Sequence, residues 1–296
     1  MAGPTAVGKT NAAIAVARKL NTVIISADSR QCYKELKIGV ARPSIAELET
    51  VKHYFIASHS IQQKIDAAYF ENYTLALLKK LFLTHKTVVV TGGTGLYIKA
   101  LTQGLDVIPE VPETIRQAII KKYEVGGMEW LQQQLHIKDP LFVAQGEMQN
   151  PQRMMRALEV IETTGCSVIS YRTYTKTKRD FGIIQIGLEM PRIQLNERIN
   201  KRVGVMLAGG LEAEVKSLLP YRHLNALQTV GYKEMFEYID GHLSLQQATE
   251  MIQQNTRRYA KRQMTWFKKQ EEMQWIDIAD FTDTKNIANL ILEISI

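Results

Sequence analysis

The stretch GPTAVGKT, Gly3 to Thr10, decides the fold, because it reads G-x-x-x-x-G-K-T. Glycines in such a loop let backbone N–H groups converge on the oxygens of a phosphate. Lys9 supplies a mobile positive charge, and the hydroxyl of Thr10 is placed to hold Mg²⁺. A chance glycine turn is the alternative, but the full motif favours a phosphate-binding loop at the start of a helix. The motif does not say whether the phosphates belong to a nucleotide.

Helical and strand patterns alternate along the first part of the chain. The segments read as helix, strand, strand, helix and strand: NAAIAVARKL (11–20), TVIIS (22–26), HYFIAS (53–58), AAYFENYTLALLKKLFLTH (67–85) and KTVVV (86–90). This alternation predicts an α/β fold, with a parallel sheet that carries the phosphate loop and has helices on both faces. Ligands of such sheets gather at the carboxyl ends of the strands. We therefore expect a site just after TVIIS and just after TVVV.

The pattern turns helical after Pro109 and Pro112, which break the chain. No convincing strand follows until Phe181–Met190, and a last strand is predicted at MQWIDI (273–278). The sequence therefore predicts a P-loop core with C-terminal helices and a smaller, mostly helical insertion domain. The predicted bounds are 1–112 and 176–296 for the core and 113–175 for the insertion.

The start of the printed sequence does not fit the usual context of a phosphate loop. Such a loop follows a buried strand, yet only Met1 and Ala2 precede Gly3. Three explanations are open: the natural chain starts further upstream, the first strand is missing, or it is supplied in another way.

Composition is ordinary for a globular protein, with 45% hydrophobic and 23% charged residues among 296. No apolar run is long enough for a membrane span, and no signal peptide is recognised, so we expect no membrane partner. Cys32 and Cys166 form no metal or disulfide spacing, which favours a reducing cytoplasm. The net charge is +7, and residues 257–269 hold six basic residues, three aromatic ones and no acidic one. This local clustering favours an anionic partner.

Asp28 follows the strand TVIIS and is expected beside the phosphate loop. One interpretation is a cap or a carboxylate that helps to hold Mg²⁺, as in nucleotide hydrolases. The other is a general base next to a pyrophosphate. The sequence alone does not choose between these two roles.

A glycine-rich turn, VTGGTGLY, ends the strand at KTVVV without an acidic residue, so it supplies no Walker B carboxylate. Gly92, Gly93 and Gly95 permit close approach of a ligand to the backbone, and Thr94 presents a hydroxyl there. A tight turn capped by Thr94 at a helix N-terminus is the alternative and is slightly favoured for this segment taken alone.

The chain resembles the tRNA dimethylallyltransferase family, in blocks that occur in that family's order from Gly3 to about Lys269. The blocks are GPTAVGKT, ISADSRQCYKELKIGVARP, GGTGLYIKAL, NPQRMMRALEVIETTG, LNERINKRVGVMLAGGLEAEV, QTVGYKE and YAKRQMTWFKK. Seven blocks in order make an accidental match very improbable. The absent upstream strand is the main departure, and Val40 and Arg42 stand where family members often have Thr and Lys.

The resemblance implies transfer of a dimethylallyl group from dimethylallyl diphosphate to the exocyclic N6 amine of the adenosine 3′-adjacent to the anticodon, with release of diphosphate. Asp28 matches the family's general base, and Thr94 would bond the adenine or orient Asp28. Arg202 matches the catalytic arginine, although a solvated helix residue is its alternative role. Lys9 and Mg²⁺ held by Thr10 would stabilise the leaving group. The diphosphate would lie on Gly3, Pro4, Thr5, Ala6, Val7, Gly8, Lys9 and Thr10.

By the same resemblance, the anticodon stem-loop of tRNA is the macromolecular partner, and we expect the chain to act as a monomer. The acceptor base must be turned out of its stack, at a cost that other RNA contacts offset. Arg153 and Arg156 fall on one helical face and could grip RNA, with a solvated basic face as the alternative. The implied contact residues are Asp28, Ser29, Arg30, Gln31, Thr94, Arg116, Gln152, Arg153, Met154, Met155, Arg156, Gln228, Thr229, Val230, Gly231, Tyr232, Lys233, Lys261, Arg262, Gln263, Met264, Thr265, Trp266, Phe267 and Lys268.

Some of these residues also fit purely structural roles. Clustered Lys and Arg in residues 261–268 fit phosphate neutralisation. Trp266 and Phe267 could stack on bases or pack, and packing is favoured for Trp266 because it lies in an amphipathic pattern.

Two other functions fit parts of the sequence. A small-molecule P-loop kinase would use Asp28 at a magnesium site, and Arg116 and Arg153 in a lid over ATP. A non-catalytic RNA-binding protein would keep the loop for regulation. The kinase would consume ATP, whereas the binding protein would show salt-dependent RNA affinity without turnover.

Overall fold

Five short parallel strands are present among the described residues of the computed structural model, which are 1–173, 175–279 and 284–294, without the side chains of 284 and 285. The strands are β1 (Ile24–Ser26), β2 (His53–Tyr54), β3 (Val89–Thr91), β4 (Gln185–Glu189) and β5 (Met273–Asp277). β1 lies between β2 and β3, with Ile24 opposite both His53 and Val89. β4 pairs with β5, with Gln185 opposite Met273.

Ala2 joins the two groups of strands. It forms parallel bridges with Gly92, after β3, and with Gly187 in β4. Its N–H donates to the carbonyl of Ile186 at 2.8 Å, and its carbonyl accepts from the N–H of Leu188 at 2.8 Å. The position between β3 and β4 is therefore taken by Ala2, and the phosphate loop starts from the middle of the sheet.

Helices follow the strands as the sequence pattern predicts. In chain order they are α1 (Lys9–Lys19), α2 (Ile45–Thr50), α3 (Ala67–Leu81), α4 (Gly95–Gln103), α5 (Glu113–Lys138), α6 (Pro140–Gln145), α7 (Pro151–Thr164), α8 (Arg192–Ala208), α9 (Leu211–Ser217), α10 (Tyr232–Ile239), α11 (Leu245–Phe267) and α12 (Thr284–Ile294). The predicted α/β class, with parallel strands and helices, is confirmed. No helix within the described ranges is long and apolar enough to cross a bilayer.

All five predicted strands are shorter in the structure, and two of them differ most. The strand predicted at Phe181–Met190 is β4, which starts at Gln185, and its partner β5 starts at Met273, opposite Gln185. The strand expected at residues 53–58 ends at Tyr54 because Phe55 and Ala57 have φ values of 62° and 46°, which are incompatible with extended backbone.

The chain divides into two compact units, Met1–Thr102 with Arg179–Ile296, and Gln103–Lys178. In the first unit, α1 buries Ala12, Val16 and neighbouring alanines from one face, in the same core as Ile24 of β1 and Leu188 of β4. Full burial of a side chain as large as Ile24 or Leu188 stabilises the fold by about 1.5–3 kcal/mol. This core holds the sheet from which the phosphate loop starts.

The second unit has its own core, and the predicted insertion, 113–175, lies within its bounds. Leu131 of α5, Phe142 of α6 and Leu158 of α7 are buried together. Asn150 caps α7 by accepting from the N–H groups of Gln152 and Arg153. Its core is therefore made by helices.

Candidate active site

A cavity of about 520 Å³ opens at the carboxyl ends of the central strands in the first unit. The segments predicted to carry the site, after TVIIS and after TVVV, both line it, as does the phosphate loop. Helices α8 and α11 supply the remaining walls that matter for the chemistry. The lining residues used below are Thr5, Lys9, Thr10, Asp28, Gln31, Val40, Gly92, Gly93, Arg198, Lys201, Arg202, Tyr259 and Gln263.

The phosphate loop needs its glycines at both ends. Gly3 has a φ of 148°, and a Cβ added there would lie 2.5 Å from the carbonyl oxygen of Leu188. Gly8 has a φ of 108° and directly precedes α1. Both positions lie in a region that favours glycine, so the loop geometry depends on these two residues.

Lys9 points its ammonium group back at the loop. Its Nζ donates to the carbonyl oxygens of Gly3 at 3.0 Å and of Pro4 at 2.7 Å. Burial lowers the pKa of Lys9 to about 7, with Asp28 opposing and Arg202 adding to the shift. An anion in the cavity would offset this desolvation and restore the proton.

Helix α8 adds cations to the same wall. Arg202 donates from Nη1 to Oγ1 of Thr5 at 3.3 Å, and Arg198 donates from Nη1 to the carbonyl of Val7 at 3.1 Å. Burial lowers the pKa of Arg202, and Arg198 lowers it further. The sequence analysis singled out Arg202 and missed Arg198 and Lys201, although Arg198 lies one turn before Arg202 and hence on the same face.

Asp28 caps a turn, which is one of the roles that the sequence left open, and its role as a general base stays a prediction. Its Oδ1 accepts hydrogen bonds from the N–H groups of Arg30 at 2.9 Å and Gln31 at 3.1 Å. The carboxylate therefore caps the turn that follows β1, and it also lines the cavity opposite Lys9. Both bonds go to Oδ1, which leaves Oδ2 as the oxygen on which a general-base role would rest.

Thr94 lies next to this turn. Its Oγ1 accepts from the N–H of Ser29 at 3.0 Å and donates to Oγ of Ser29 at 3.3 Å. Gly92 makes this approach possible, because a Cβ there would lie 2.1 Å from the carbonyl oxygen of Ala27. The glycine turn therefore allows contact between two loops of the site and also starts α4.

Helix α11 contributes two residues to the cavity, Tyr259 and Gln263, which are one turn apart. Burial raises the pKa of Tyr259 to about 12, and the charge of Asp28 acts in the same direction. The sequence analysis missed Tyr259. Its spacing of four from Gln263 was a usable signal only if one of the two residues was already known to face inward.

Exposed cations lie on α11 and directly after it, beside these inward residues. Lys261, Arg262 and Lys268 are exposed, as is Thr265, and Met264 is half-buried. Trp266 is half-buried and lies against Gly95, where an added Cβ would be 2.3 Å from the indole. The packing role favoured for Trp266 is therefore present in the structure.

Five predicted RNA-contact residues have buried side chains: Met154, Met155, Tyr232, Gln263 and Phe267. RNA contact at these positions stays a prediction, but their burial argues that they act by packing or by internal hydrogen bonds. Tyr232, for example, donates from its hydroxyl to Oε1 of Glu214 at 2.6 Å. The same carboxylate accepts from the N–H groups of Lys37, Ile38 and Gly39.

The remaining predicted contact residues differ in exposure. Gln152, Arg153, Gln228 and Lys233 are exposed. Ser29, Arg30, Gln31, Arg116, Arg156, Thr229 and Val230 are half-buried, and Gly231 is buried.

The arginines predicted in the second unit are paired there with carboxylates. Glu159 is buried and bonds Arg116 at 3.1 Å and Arg156 at 3.2 Å, while Arg153 pairs with Glu147. The chain thus brings the Lys9, Asp28 and Arg202 group together in one cavity of the first unit, and it places Arg116, Arg153 and Arg156 in the second unit.

The oxygen donors of the cavity fit a magnesium ion. Mg²⁺ takes oxygen ligands and usually binds through one or two protein groups together with phosphate and water. Thr10 and Asp28 supply a hydroxyl and a carboxylate in the cavity that also contains the loop. The residues present therefore suit this cation, provided that a phosphate group completes its shell.

Comparisons with known proteins point in one direction. The sequence profile of a family described as IPP transferase matches residues 31–270. The chain is 45% identical over 289 residues to the tRNA dimethylallyltransferase of Christiangramia forsetii, covering 98% of this chain and 95% of that protein. It is 44% identical over 281 residues to the tRNA dimethylallyltransferase of Cytophaga hutchinsonii, covering 95% and 92%.

A solved structure agrees with these relatives. The crystal structure of the full-length tRNA isopentenylpyrophosphate transferase from Bacillus halodurans matches with a TM-score of 0.72 and 33% sequence identity. The match covers 99% of this chain and 94% of that chain.

Proposed function

Because this chain belongs to the IPP transferase family, with tRNA dimethylallyltransferases among its relatives, we propose that it transfers a dimethylallyl group from dimethylallyl diphosphate to N6 of the adenosine 3′-adjacent to the anticodon. One observation carries this proposal beyond family membership. The phosphate loop, the cationic face of α8 and Asp28 line a single cavity. This shared lining supports the proposal that the loop binds the diphosphate and that Asp28 acts as the general base of the same reaction.

The diphosphate end of the donor binds to the loop N–H groups. Lys9 exchanges its bonds with Gly3 and Pro4 for bonds to the diphosphate, and Arg202 and Arg198 approach from α8. These cations stabilise the charge that develops as the bond from the allylic carbon to oxygen breaks. Thr10 would hold Mg²⁺, which neutralises part of the diphosphate charge when it is bound.

The acceptor is an adenine turned out of the anticodon stack. Its exocyclic amine is a poor nucleophile, so a base within hydrogen-bond reach must remove a proton as the new bond forms. Asp28 Oδ2 is the candidate, because Oδ1 already accepts from Arg30 and Gln31. The new bond joins N6 to the allylic carbon, the proton goes to Asp28, and the electron pair of the broken bond leaves with diphosphate.

The RNA-binding part of the proposal rests on charge. Lys261 and Arg262 are exposed on α11, the helix whose inner face lines the cavity, and Lys268 is exposed directly after it. Phosphate neutralisation there would offset the cost of unstacking the base. We propose that the chain acts as a monomer in the cytoplasm, with the core at 1–112 and 176–296 and an RNA-binding insertion at 113–175.

A direct assay separates this function from its alternatives. The purified protein is incubated with tRNA, dimethylallyl diphosphate and Mg²⁺, and the nucleosides are analysed by mass spectrometry. The proposal predicts one adenosine heavier by one five-carbon unit, and only when the donor is present. ATP consumption with a small acceptor would favour a kinase, and RNA binding without any product would favour a regulatory protein.

A further inference from the structure

Gln263 of α11 forms hydrogen bonds with both loops that define the cavity. Its Oε1 accepts from the backbone N–H of Thr5, in the phosphate loop, at 2.8 Å. Its Nε2 donates to the carbonyl oxygen of Gly93, in the glycine turn, at 2.9 Å. The side chain is only 6% exposed. One buried amide therefore fixes the distance between two loops that are far apart in the sequence.

The chemistry of these two partners requires an amide. An N–H needs an acceptor and a carbonyl needs a donor, and a primary amide carries both at its end in one fixed geometry. Glutamate would keep the acceptor and lose the donor, whereas methionine would keep the length and lose both bonds. The close approach of this amide also requires a glycine at position 93, because a Cβ there would lie 2.3 Å from Nε2 of Gln263.

Thr5 is held from two directions. Gln263 bonds its backbone N–H, and Arg202 donates to its hydroxyl at 3.3 Å. The position of Thr5 sets the direction of the loop N–H groups that meet a phosphate. A shift of the loop by a fraction of an ångström would misdirect several donors at once.

The neighbours of Gln263 on α11 face the other way. Lys261 and Arg262 are exposed, whereas Tyr259, one turn earlier, lines the cavity. The segment that resembles an RNA-binding block thus contains an inward residue that is almost fully buried. Its two neighbours carry the exposed charge.

We propose that Gln263 is a positioning residue, which holds the phosphate loop against the glycine turn and so prepares the diphosphate site. It acts through Thr5 and Gly93 and does not contact RNA. This inference rests on the proposed function, because it takes the loop to be a diphosphate site.

The first test compares Gln263→Met with Lys261→Met, a matched change on the exposed side of the same helix. Binding of inorganic pyrophosphate with Mg²⁺ is measured by calorimetry, and binding of an anticodon stem-loop by fluorescence anisotropy. Gln263→Met should weaken pyrophosphate binding roughly tenfold, as expected for two lost hydrogen bonds, and leave RNA affinity within about twofold. Lys261→Met should do the reverse. In turnover, Gln263→Met should raise KM for the donor more than it lowers kcat.

A second variant, at Gly93, disturbs the amide of Gln263 from the side of its hydrogen-bond partner. Gly93→Ala places a methyl group 2.3 Å from the position of Nε2, so it should displace the Gln263 side chain and reproduce the pyrophosphate defect. When Gln263 is already Ala, adding Gly93→Ala should cost little more, because the clash is gone. This pair keeps the test decisive if Gln263→Met folds poorly.

The outcomes separate the positioning role of Gln263 from the proposed function of the protein. If the wild-type protein binds pyrophosphate and Gln263→Met binds it equally well, the positioning role is wrong while the proposed function stands. If Gln263→Met weakens RNA binding alone, Gln263 is an RNA contact and the inference is overturned. If the wild-type protein binds no pyrophosphate at all, the diphosphate site and the inference that rests on it both fail.

Discussion

The hydroxyl of Thr94 accepts a 3.0 Å hydrogen bond from the backbone N–H of Ser29. Ser29 follows Asp28 directly, so this bond ties the glycine turn to the segment that carries the proposed base. The same hydroxyl donates to Oγ of Ser29. The position of the Asp28 carboxylate therefore depends on a side chain from another loop of the site.

Replacing Thr94 tests this dependence. Thr94→Val keeps the shape and leaves the N–H of Ser29 without its acceptor, so we expect the single-turnover rate to fall roughly tenfold, the equivalent of about 1.4 kcal/mol. Thr94→Ser keeps the hydroxyl and should stay near the wild-type rate. Equal rates for the valine and serine variants would show that the bond does not position the base.

Asp28 has a capping role and a proposed role as the general base, and two substitutions can separate them. Asn at position 28 keeps an oxygen for the N–H groups of Arg30 and Gln31, whereas Ala removes it. Both changes remove the base and should lower the rate of the chemical step by roughly 10²–10⁴. Only Asp28→Ala should also lower the free energy of unfolding, by about 1 kcal/mol. Stem-loop affinity should stay near wild type in both variants, and retention of activity by Asp28→Asn would contradict the base assignment.

The lowered pKa of Lys9 predicts that pyrophosphate binding depends on pH. Its pKa is lowered from 10.5 to about 7 in the free protein, so above pH 7 the neutral amine must take up a proton when an anion binds. Affinity should therefore fall as pH rises through 7, by up to about tenfold per unit while this uptake lasts. Calorimetry between pH 6 and 9, in buffers of different ionisation enthalpy, measures both the affinity and the proton uptake.

Lys9→Arg is the control for this prediction, because arginine stays charged and the titration of pyrophosphate itself is common to both proteins. The difference between the two pH profiles isolates Lys9. The lowered pKa of Lys9 also predicts how the free energy of unfolding changes with pH. The unfolded chain keeps this proton up to its ordinary pKa, so burial of charged Lys9 opposes folding below pH 7, and this penalty falls as pH rises from about 7 to 10.5. If pyrophosphate affinity changed with pH in the same way for the wild-type protein and for Lys9→Arg, the lowered pKa of Lys9 would be contradicted.

The exposed face of α11 should govern RNA affinity. Replacing both Lys261 and Arg262 by Ala should weaken stem-loop binding and reduce the slope of log affinity against log salt by about 0.7–0.9 for each lost phosphate contact. Pyrophosphate binding should not change. Lys79 and Lys80, exposed on α3, give a matched double substitution that should leave both affinities unchanged. An equal effect of the two pairs would show only a general loss of charge.

Glu214 supports a wall of the cavity from a distance. Its carboxylate accepts from the N–H groups of Lys37, Ile38 and Gly39 and from the hydroxyl of Tyr232, and the next residue, Val40, lines the cavity. Glu214→Ala should lower the free energy of unfolding by about 2–3 kcal/mol, because bonds to a charged acceptor are strong and buried donors are left unpaired. Chemical denaturation measures this.

Tyr232→Phe is the milder companion, since it removes one of these bonds. It should cost about 1 kcal/mol. A loss as large as that of Glu214→Ala would place the importance of the cluster in Tyr232 and not in the carboxylate.

The sequence alone predicted those candidate site residues that a local motif or the end of a strand determines. The phosphate loop and Asp28 follow from a motif and from the end of a buried strand, and the topology of a parallel sheet brings such ends together. Arg202 came only from the family resemblance, because a basic residue on a helix gives no sign of which way it faces. Tyr259, Arg198 and the inward direction of Gln263 depend on how α8 and α11 pack, which no local pattern encodes.

The strand position between β3 and β4 could not be predicted from the local sequence either. A lone residue has no periodicity, so nothing in the local pattern marks Ala2 as the link between β3 and β4, although it bridges both. The early end of β2 is similar, since the positive φ values of Phe55 and Ala57 reflect tertiary context and not residue type. In both places tertiary contacts decided what local propensity could not.

The most direct test of the account is the distance between a carboxylate oxygen of Asp28 and N6 of the target adenine. A crystal structure with an anticodon stem-loop and a thiolated, unreactive analogue of dimethylallyl diphosphate measures it. The account predicts an extruded adenine whose N6 lies about 2.6–3.2 Å from Asp28, with the diphosphate on residues 3–10. An adenine bound far from Asp28, or a diphosphate held away from the loop, would contradict it.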